Sequence, residues 1–175
     1  MYELNNFKVP KDFRGKNIIT VQLWDFVKFF LFKPSPKALY GWRRFLLRVF
    51  GAKIGKGVII RPSAEITYPW KLIVGDYSWI GDNVVLYTLG IIEIGSHTVI
   101  SQKSYLCTGS HDYSKRDFPI YAVPIKVGNS CWIATDVFIA PGVKINDEVI
   151  IGARSSIYKS ISARGIYKGN PVQKT

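Results

Sequence analysis

The sequence predicts an all-β solenoid, a parallel β-helix with a small helical cap at its N-terminal end and one protruding loop. Three observations carry that prediction. Aliphatic residues recur every six positions as Ile54, Ile60, Ile66, then Val74, Ile80, Leu86, then Ile94, Ile100, Leu106. After a break they resume in the same phase at Val127, Ile133, Ile139, Ile145, Ile151 and Ile157, and a glycine often follows, as in Val74-Gly75 and Ile94-Gly95. The position two residues earlier holds small or branched residues in most repeats: Val58, Ala64, Ser78, Val84, Thr98, Ser104, Cys131, Val137, Val143, Val149 and Ser155. A six-residue period matches neither the 3.6 of a helix nor the 2 of an ordinary strand, but suits a short strand and a tight turn repeated. Three repeats make one triangular coil of about 18 residues. Both marked positions then point inward, where a narrow interior excludes large side chains.

The elements follow in chain order. Residues 1–17, with Pro10, Gly15 and mixed charge, read as an extended or irregular arm. From about Thr20 the spacing turns helical, with Val21, Trp24, Val27, Phe30 and Leu31 on one face, until Lys33-Pro34-Ser35-Pro36 breaks it. A second helix is expected from Pro36 to about Phe50, with Leu39, Trp42, Phe45, Leu46 and Val49 as its apolar stripe and Arg43, Arg44 and Arg48 elsewhere around it. The boundary with the solenoid is placed at 53/54, giving an arm and cap (1–53) and a β-helix domain (54–175). Within the array the spacing is eight rather than six between Ile66 and Val74, and again between Leu86 and Ile94. Two extra residues at a corner accommodate each, at Pro69-Trp70 and Gly90-Ile91. Between Leu106 and Val127 the spacing is 21, so a loop, 107–126, leaves the body and returns.

The helical pair admits two readings. Its apolar stripes could pack across the first coil, whose strand edges and core would otherwise be open. Alternatively, residues 20–50 could lie in a membrane interface through Trp24, Phe29, Phe30, Phe32, Trp42 and the arginines. Charge bears on this. The chain carries +12 net, of which residues 1–53 hold 11 Lys+Arg against 3 Asp+Glu. That excess points to an anionic partner or to a solvated face. No recognised motif accompanies it, so nucleic acid is not expected. Two cysteines are too few for a disulfide framework. The apolar stretch Val21–Phe32, interrupted by Gln22, Asp25 and Lys28, is too short to span a bilayer, and no signal peptide is visible, so a cytoplasmic protein is expected.

On these residues the chain resembles the hexapeptide-repeat acyltransferases of left-handed parallel β-helix fold, and most closely the colanic acid biosynthesis acetyltransferase branch. The stretches that carry the resemblance are Leu39-Tyr40-Gly41-Trp42-Arg43-Arg44, Gly51-Ala52-Lys53-Ile54-Gly55, Ile66-Thr67-Tyr68-Pro69-Trp70-Lys71, Ser101 through Tyr113, Ala140-Pro141-Gly142-Val143 and Gly169-Asn170-Pro171. The left hand departs from the usual crossover rule and is implied by the resemblance alone. The same resemblance implies a homotrimer with active sites between subunits. It further implies transfer of acetyl from acetyl-CoA to a sugar hydroxyl in exopolysaccharide assembly, the acceptor being a nucleotide-linked or lipid-linked sugar.

Such a transfer needs a base to take the alcohol's proton while its oxygen attacks a thioester, and imidazole suits working pH. The chain has two histidines. His97 sits three residues after Ile94, a turn position; His111 stands at the mouth of the loop, where the family places its base. Asp112 follows it as a candidate to orient a ring or contact substrate. The resemblance assigns acetyl-CoA to the later coils through Trp132, Ala134, Ala153, Arg154, Lys159 and Lys168. Small residues there admit the pantetheine and cations suit the phosphates. It assigns the acceptor to Tyr87 and Thr88, with 114–121 as one wall. Departures stand at Arg154 and Ala134, where the family commonly has glycine. The rivals are an acyl-enzyme through Cys107, a xenobiotic acceptor, and a non-catalytic solenoid that binds membrane. No metal is expected, since carbonic anhydrases of this fold use three histidines.

Overall fold

The computed structural model describes residues 2–175; Met1, the first residue of the predicted arm, lies outside them. The repeats wind into a three-faced parallel β-helix whose faces are sheets of five, seven and five strands. The first face contains Leu72–Val74, Ile92–Ile94 and Ile125–Val127, the second Trp79–Ile80, Val99–Ile100 and Trp132–Ile133, and the third Val85–Tyr87, Tyr105–Cys107 and Phe138–Ile139. Each strand pairs in parallel with its counterpart one coil on, Ile54 beside Val74 and Ile94 beside Val127. All the periodic aliphatics and all the small positions named above are buried. Buried hydroxyls are satisfied along the stack: Ser78 Oγ donates to Gly95 O at 2.6 Å and Thr98 Oγ1 to Gly128 O at 2.7 Å.

The glycines after the first-face aliphatics are demanded by the stacking. A Cβ on Gly75 would lie 2.5 Å from Ser96 N, and one on Gly95 2.6 Å from Gly128 C, both backbone of the next coil. The corners are unequal. After the first and second faces the chain turns tightly. The residue three beyond the aliphatic takes a left-handed conformation at Tyr77, Asn83, His97, Lys103, Ser130, Asp136, Glu148 and Arg154, with φ between +53° and +63°. The corner after the third face is the loose one. It holds the 3₁₀ turn Pro69–Lys71, then Gly90, and then the hairpin, so all three insertions stack along one edge of the prism. The expected loop is narrower than 107–126. Cys107 still belongs to a third-face strand, and Gly109–His111 pairs antiparallel with Ile120–Ala122.

The two expected helices form and cover the first coil through Trp24, Val27 and Leu46, but their bounds and the rest of their buried faces differ from the expectation. Helix α1 spans Ile18–Val27, capped by Asn17, whose Oδ1 accepts from Thr20 N at 2.9 Å. It continues as a π-helical turn, Lys28–Phe32. That turn shifts the buried face by five residues, from Val27 to Phe32. Phe30 and Leu31, expected inside, are therefore exposed, while Trp24, Val27 and Phe32 are buried. Helix α2 spans Tyr40–Val49 and starts four residues later than expected. The carbonyls of Pro36 and Lys37, which an earlier start would use within the helix, accept instead from the Arg43 guanidinium at 2.8 and 2.5 Å.

The face of α2 on the solenoid is Arg43, Leu46 and Leu47; Leu39, Trp42, Phe45 and Val49 face outward. The reason lies in the direction of the ladder. Carbonyls at the inward positions accept from N–H groups of the preceding coil, as Val74 O does from Gly55 N at 2.9 Å and Ile80 O from Arg61 N at 3.0 Å. First-coil carbonyls thus have no preceding coil to satisfy them. Side chains of the cap do so. Arg48 Nε donates to Ile54 O at 3.0 Å, Arg44 Nη1 to Val58 O at 2.8 Å, Arg43 Nε to Ile60 O at 2.6 Å and Trp24 Nε1 to Ile66 O at 3.0 Å. The arginines close the open edge beside Leu46 and Leu47, and the rest of the expected apolar stripe, Leu39, Trp42, Phe45 and Val49, is left outside.

Candidate active site

The hairpin root is built from tight packing. Gly109 sits where a Cβ would meet Leu89 Cδ1 at 2.5 Å and Tyr87 Cε1 at 3.3 Å, so the strand leaves close to the corner and a larger residue would push the Leu89 side chain aside. Two residues on, His111 pairs with Ile120 across the hairpin and is half-buried. Its Nδ1 lies 2.8 Å from Phe118 O. A carbonyl only accepts, so in the neutral ring Nδ1 carries the proton and Nε2 keeps its lone pair, the form a general base requires. The Phe118 ring stacks on the imidazole, with centroids 4.3 Å apart and planes 9° apart.

The N-terminal arm completes this environment. Phe7 packs at 5.8 Å from the His111 ring, and Tyr2 at 4.7 Å from Phe118. Glu3 N donates to Arg116 O at 2.8 Å. Further along, Lys71 Nζ donates to Phe13 O at 2.6 Å and to Leu89 O, and Trp70 Nε1 to Arg14 O at 2.7 Å. Burial pulls the Lys71 ammonium below the usual lysine range. Sequence reasoning missed Phe7 and Phe118. Neither lies in a periodic segment, and only the folded hairpin brings them to the imidazole.

Asp112 follows the end of the strand Gly109–His111, and its carboxylate is committed to the hairpin tip. Its Oδ1 accepts from Ser114 N at 3.0 Å and Ser114 Oγ at 2.5 Å. These bonds, with Lys115 nearby, hold the carboxyl below its usual range. The ring is oriented by the Phe118 carbonyl, and Asp112 shapes the hairpin tip. Thr88 is fully buried: its Oγ1 accepts from Tyr68 N at 2.6 Å and donates to Tyr68 O at 3.0 Å, so it braces the corner and presents nothing to solvent. Tyr87 is half-buried, with its ring against the hairpin root and 6.1 Å from Tyr105. Cys107 is half-buried with Sγ 3.1 Å from Gly109 O, whereas Cys131 is buried and its thiol is pushed up by that burial. Among the described residues, no three His, Cys, Asp or Glu side chains gather closely enough to hold a metal ion.

The residues expected to hold acetyl-CoA lie mostly elsewhere. Trp132, Ala134 and Ala153 line a groove of about 420 Å³, with Ser101, Gln102 and Thr135. Trp132 is half-exposed, its Nε1 donating to Ser101 Oγ at 3.0 Å, and Ala134 is nearly covered. Arg154 stands beside this groove and reaches Asp136 at 3.6 Å; Lys168 ends a second-face strand above it. A flat indole, two small side chains and two cations fit an extended thiol cofactor ending in phosphates. This groove follows the edge between the second and third faces. His111, Tyr87 and Thr88 belong to the edge between the third and first faces, as does Lys159, which follows the third-face strand Ser156–Ile157. One chain therefore carries its candidate base and its candidate donor groove on two different edges.

Comparison with known proteins agrees with this architecture. Residues 124–159 match the family model "Bacterial transferase hexapeptide (six repeats)". The chain is 62% identical over 172 residues to a protein of Escherichia coli (strain K12) with the provisional name colanic acid biosynthesis acetyltransferase WcaF, covering 98% of this chain and 94% of that protein. Among solved structures it is similar to a maltose O-acetyltransferase from Clostridium difficile 630, with TM-score 0.82 and 26% identity over 90% of this chain and 86% of that one. It also shares its fold with a hexapeptide-repeat-containing acetyltransferase of Vibrio cholerae O1 biovar eltor complexed with acetyl-CoA, with TM-score 0.80 and 22% identity over 89% and 85% of the two chains.

Proposed function

The chain belongs to the hexapeptide-repeat acetyltransferases, in the branch of the colanic acid biosynthesis enzymes, and from that premise we propose that it moves acetyl from acetyl-CoA to a sugar hydroxyl by direct transfer, with His111 as general base. The observation that carries the reaction class is 62% identity sustained over 98% of the chain. The choice of base is supported by the Nδ1 contact with Phe118 O, which leaves Nε2 free.

In this reading His111 Nε2 takes the proton of the acceptor hydroxyl as its oxygen attacks the thioester carbonyl. The carbon–oxygen bond forms and the carbon–sulfur bond breaks. The resulting imidazolium then returns its proton to the departing thiolate, leaving the base neutral for the next turnover. Phe118 and Phe7 shield the ring, and the Phe118 carbonyl stabilises the imidazolium through Nδ1–H. Trp132, Ala134, Ala153, Arg154 and Lys168 would hold the donor, and Tyr87 would face the acceptor. Lys159, on the hairpin edge, would meet the donor only across a subunit boundary. Asp112 and Thr88, both committed to local backbone, are left out of the substrate contacts.

Because hairpin and groove lie on separate edges, the proposed site is assembled between subunits of a homotrimer, one giving His111 and the next the groove. The acceptor is a sugar, carried on a nucleotide or a lipid, in exopolysaccharide assembly on the cytoplasmic side. Incubation with acetyl-CoA and a panel of such sugars, read as free thiol released, tests the reaction. His111→Ala should lower the rate by about 10²–10⁴-fold, and Cys107→Ala should leave it unchanged. Undiminished turnover by His111→Ala would remove the proposed base, and loss in Cys107→Ala would point to an acyl-enzyme.

A further inference from the structure

We infer that the outward face of the helical cap is a docking surface for the headgroup layer of an anionic lipid bilayer. The face exists because the arginines, with Trp24, Val27, Phe32, Leu46 and Leu47, close the first coil and leave the other apolar side chains of the cap outside. On α1, Ile19, Leu23, Phe26 and Phe30 follow one another at spacings of four, three and four, and are 72%, 53%, 56% and 55% exposed. They form a second apolar stripe beside the buried one of Trp24 and Val27. On α2, Trp42 and Phe45 stack at 5.8 Å and face outward with Val49. The two stripes form one surface: Phe26, Phe29 and Phe30 cluster with centroids 4.6 and 4.8 Å apart, and Trp42 Nε1 donates to Leu31 O at 3.0 Å, tying α2 to the end of α1. A folded monomer rarely leaves so much contiguous aromatic surface uncovered.

Charge selects the occupant. Of the six Lys+Arg in residues 18–50, Arg43, Arg44 and Arg48 turn to first-coil carbonyls, which leaves Lys28, Lys33 and Lys37 on the cap against one carboxylate of the same stretch, Asp25; Lys28 pairs with Asp25 and Lys33 with Glu65. Lys37 is exposed and makes no ion pair among the described residues. A second copy of this face would bring like charge onto like charge, whereas anionic headgroups attract it and accept the aromatic rings between them. Among the described residues no helix is long and apolar enough to cross a membrane, so the cap is inferred to lie on the bilayer and not to span it. The location also suits the hairpin. It leaves after the third coil, two coil steps of about 4.8 Å and one helix layer of about 10 Å from that surface. His111 is thereby held within roughly 20 Å of the headgroups.

The test is co-sedimentation of the full-length chain with vesicles containing phosphatidylglycerol, against vesicles of phosphatidylcholine alone, without any acetyl donor or acceptor. The wild-type chain should sediment with the anionic vesicles and be released by about 0.5 M salt. Phe26→Ser/Phe30→Ser/Phe45→Ser should bind at least about tenfold more weakly. Because these side chains support nothing beneath them, its melting temperature and its acetyl transfer to a soluble sugar should match wild type. Equal sedimentation of wild type and triple variant, or none by wild type, overturns the inference. So does a wild-type assembly larger than that of the triple variant, which would identify a second copy as the occupant. None of these readouts depends on acetyl transfer, so a failure here leaves the proposed reaction standing.

Discussion

The carbonyl of Phe118 cannot donate, and the account of His111 rests on that asymmetry. Phe118→Ala keeps the carbonyl but removes the stacked ring, worth about 0.5–1.5 kcal/mol. It should therefore lower kcat by up to about tenfold with little change in KM for the donor. Asp112 gives the contrasting case. Its bonds run to Ser114, so Asp112→Asn should retain most activity, and an enzyme crippled by it would restore Asp112 to the reacting groups. The carboxyl lies below its usual range in the folded chain, so its contribution to the hairpin tip is fully present above the ordinary carboxylate range. That contribution is lost as pH falls through the lowered value. Exchange of the Ser114 amide, followed by NMR, should quicken only in that acid window and stay pH-corrected flat above it. His111 was legible in the sequence because it opens the one long interruption of a regular array. Phe7 and Phe118 were not, because their roles depend on how an aperiodic arm and a hairpin strand meet.

At the scale of elements, the solenoid and its two-helix cap were readable, and the full set of residues by which the cap packs was not. Period and small-residue positions both follow from backbone geometry that repeats, so each coil restates the same constraint. The cap has no such redundancy. Its two helices are apolar on two faces, and helical spacing alone does not say which face the solenoid takes. The π turn at Lys28–Phe32 and the carbonyl-seeking arginines decided it. Arg43 is the centre of that arrangement, buried with four acceptors: Ile60 O, Ser35 Oγ, Pro36 O and Lys37 O. Arg43→Met fills similar space but leaves those acceptors without their donor. It should cost about 3 kcal/mol and lower the melting temperature by roughly 6–12 °C. Phe45→Ser on the opposite face of α2 should hardly move it. A calorimetric scan of the two variants in which Phe45→Ser proved the more damaging would reverse the assignment of faces.

Over the whole molecule, the three insertions at one edge and the small-residue groove at another divide the chemistry between two sides of a prism. The arm joins the same plan: it runs from the hairpin, at Glu3 and Phe7, back to the cap at Asn17. Docking of the cap and presentation of His111 thus share one continuous stretch of chain. The division between edges could not be read from site residues taken singly, since it depends on which face each repeat occupies. It bears directly on the proposed assembly, in which a neighbour would complete the split site through a heterologous contact that closes into a ring. Two variants isolate the halves: His111→Ala removes the base, and Ala153→Trp fills the groove. The most direct measurement is acetyl transfer by trimers formed on co-expressing the two. Each variant alone should be inactive, and the mixture should recover activity at about a quarter of its interfaces, where an intact hairpin meets an intact groove. Mixed assemblies as silent as the single variants would show that hairpin and groove do not complete one another across subunits.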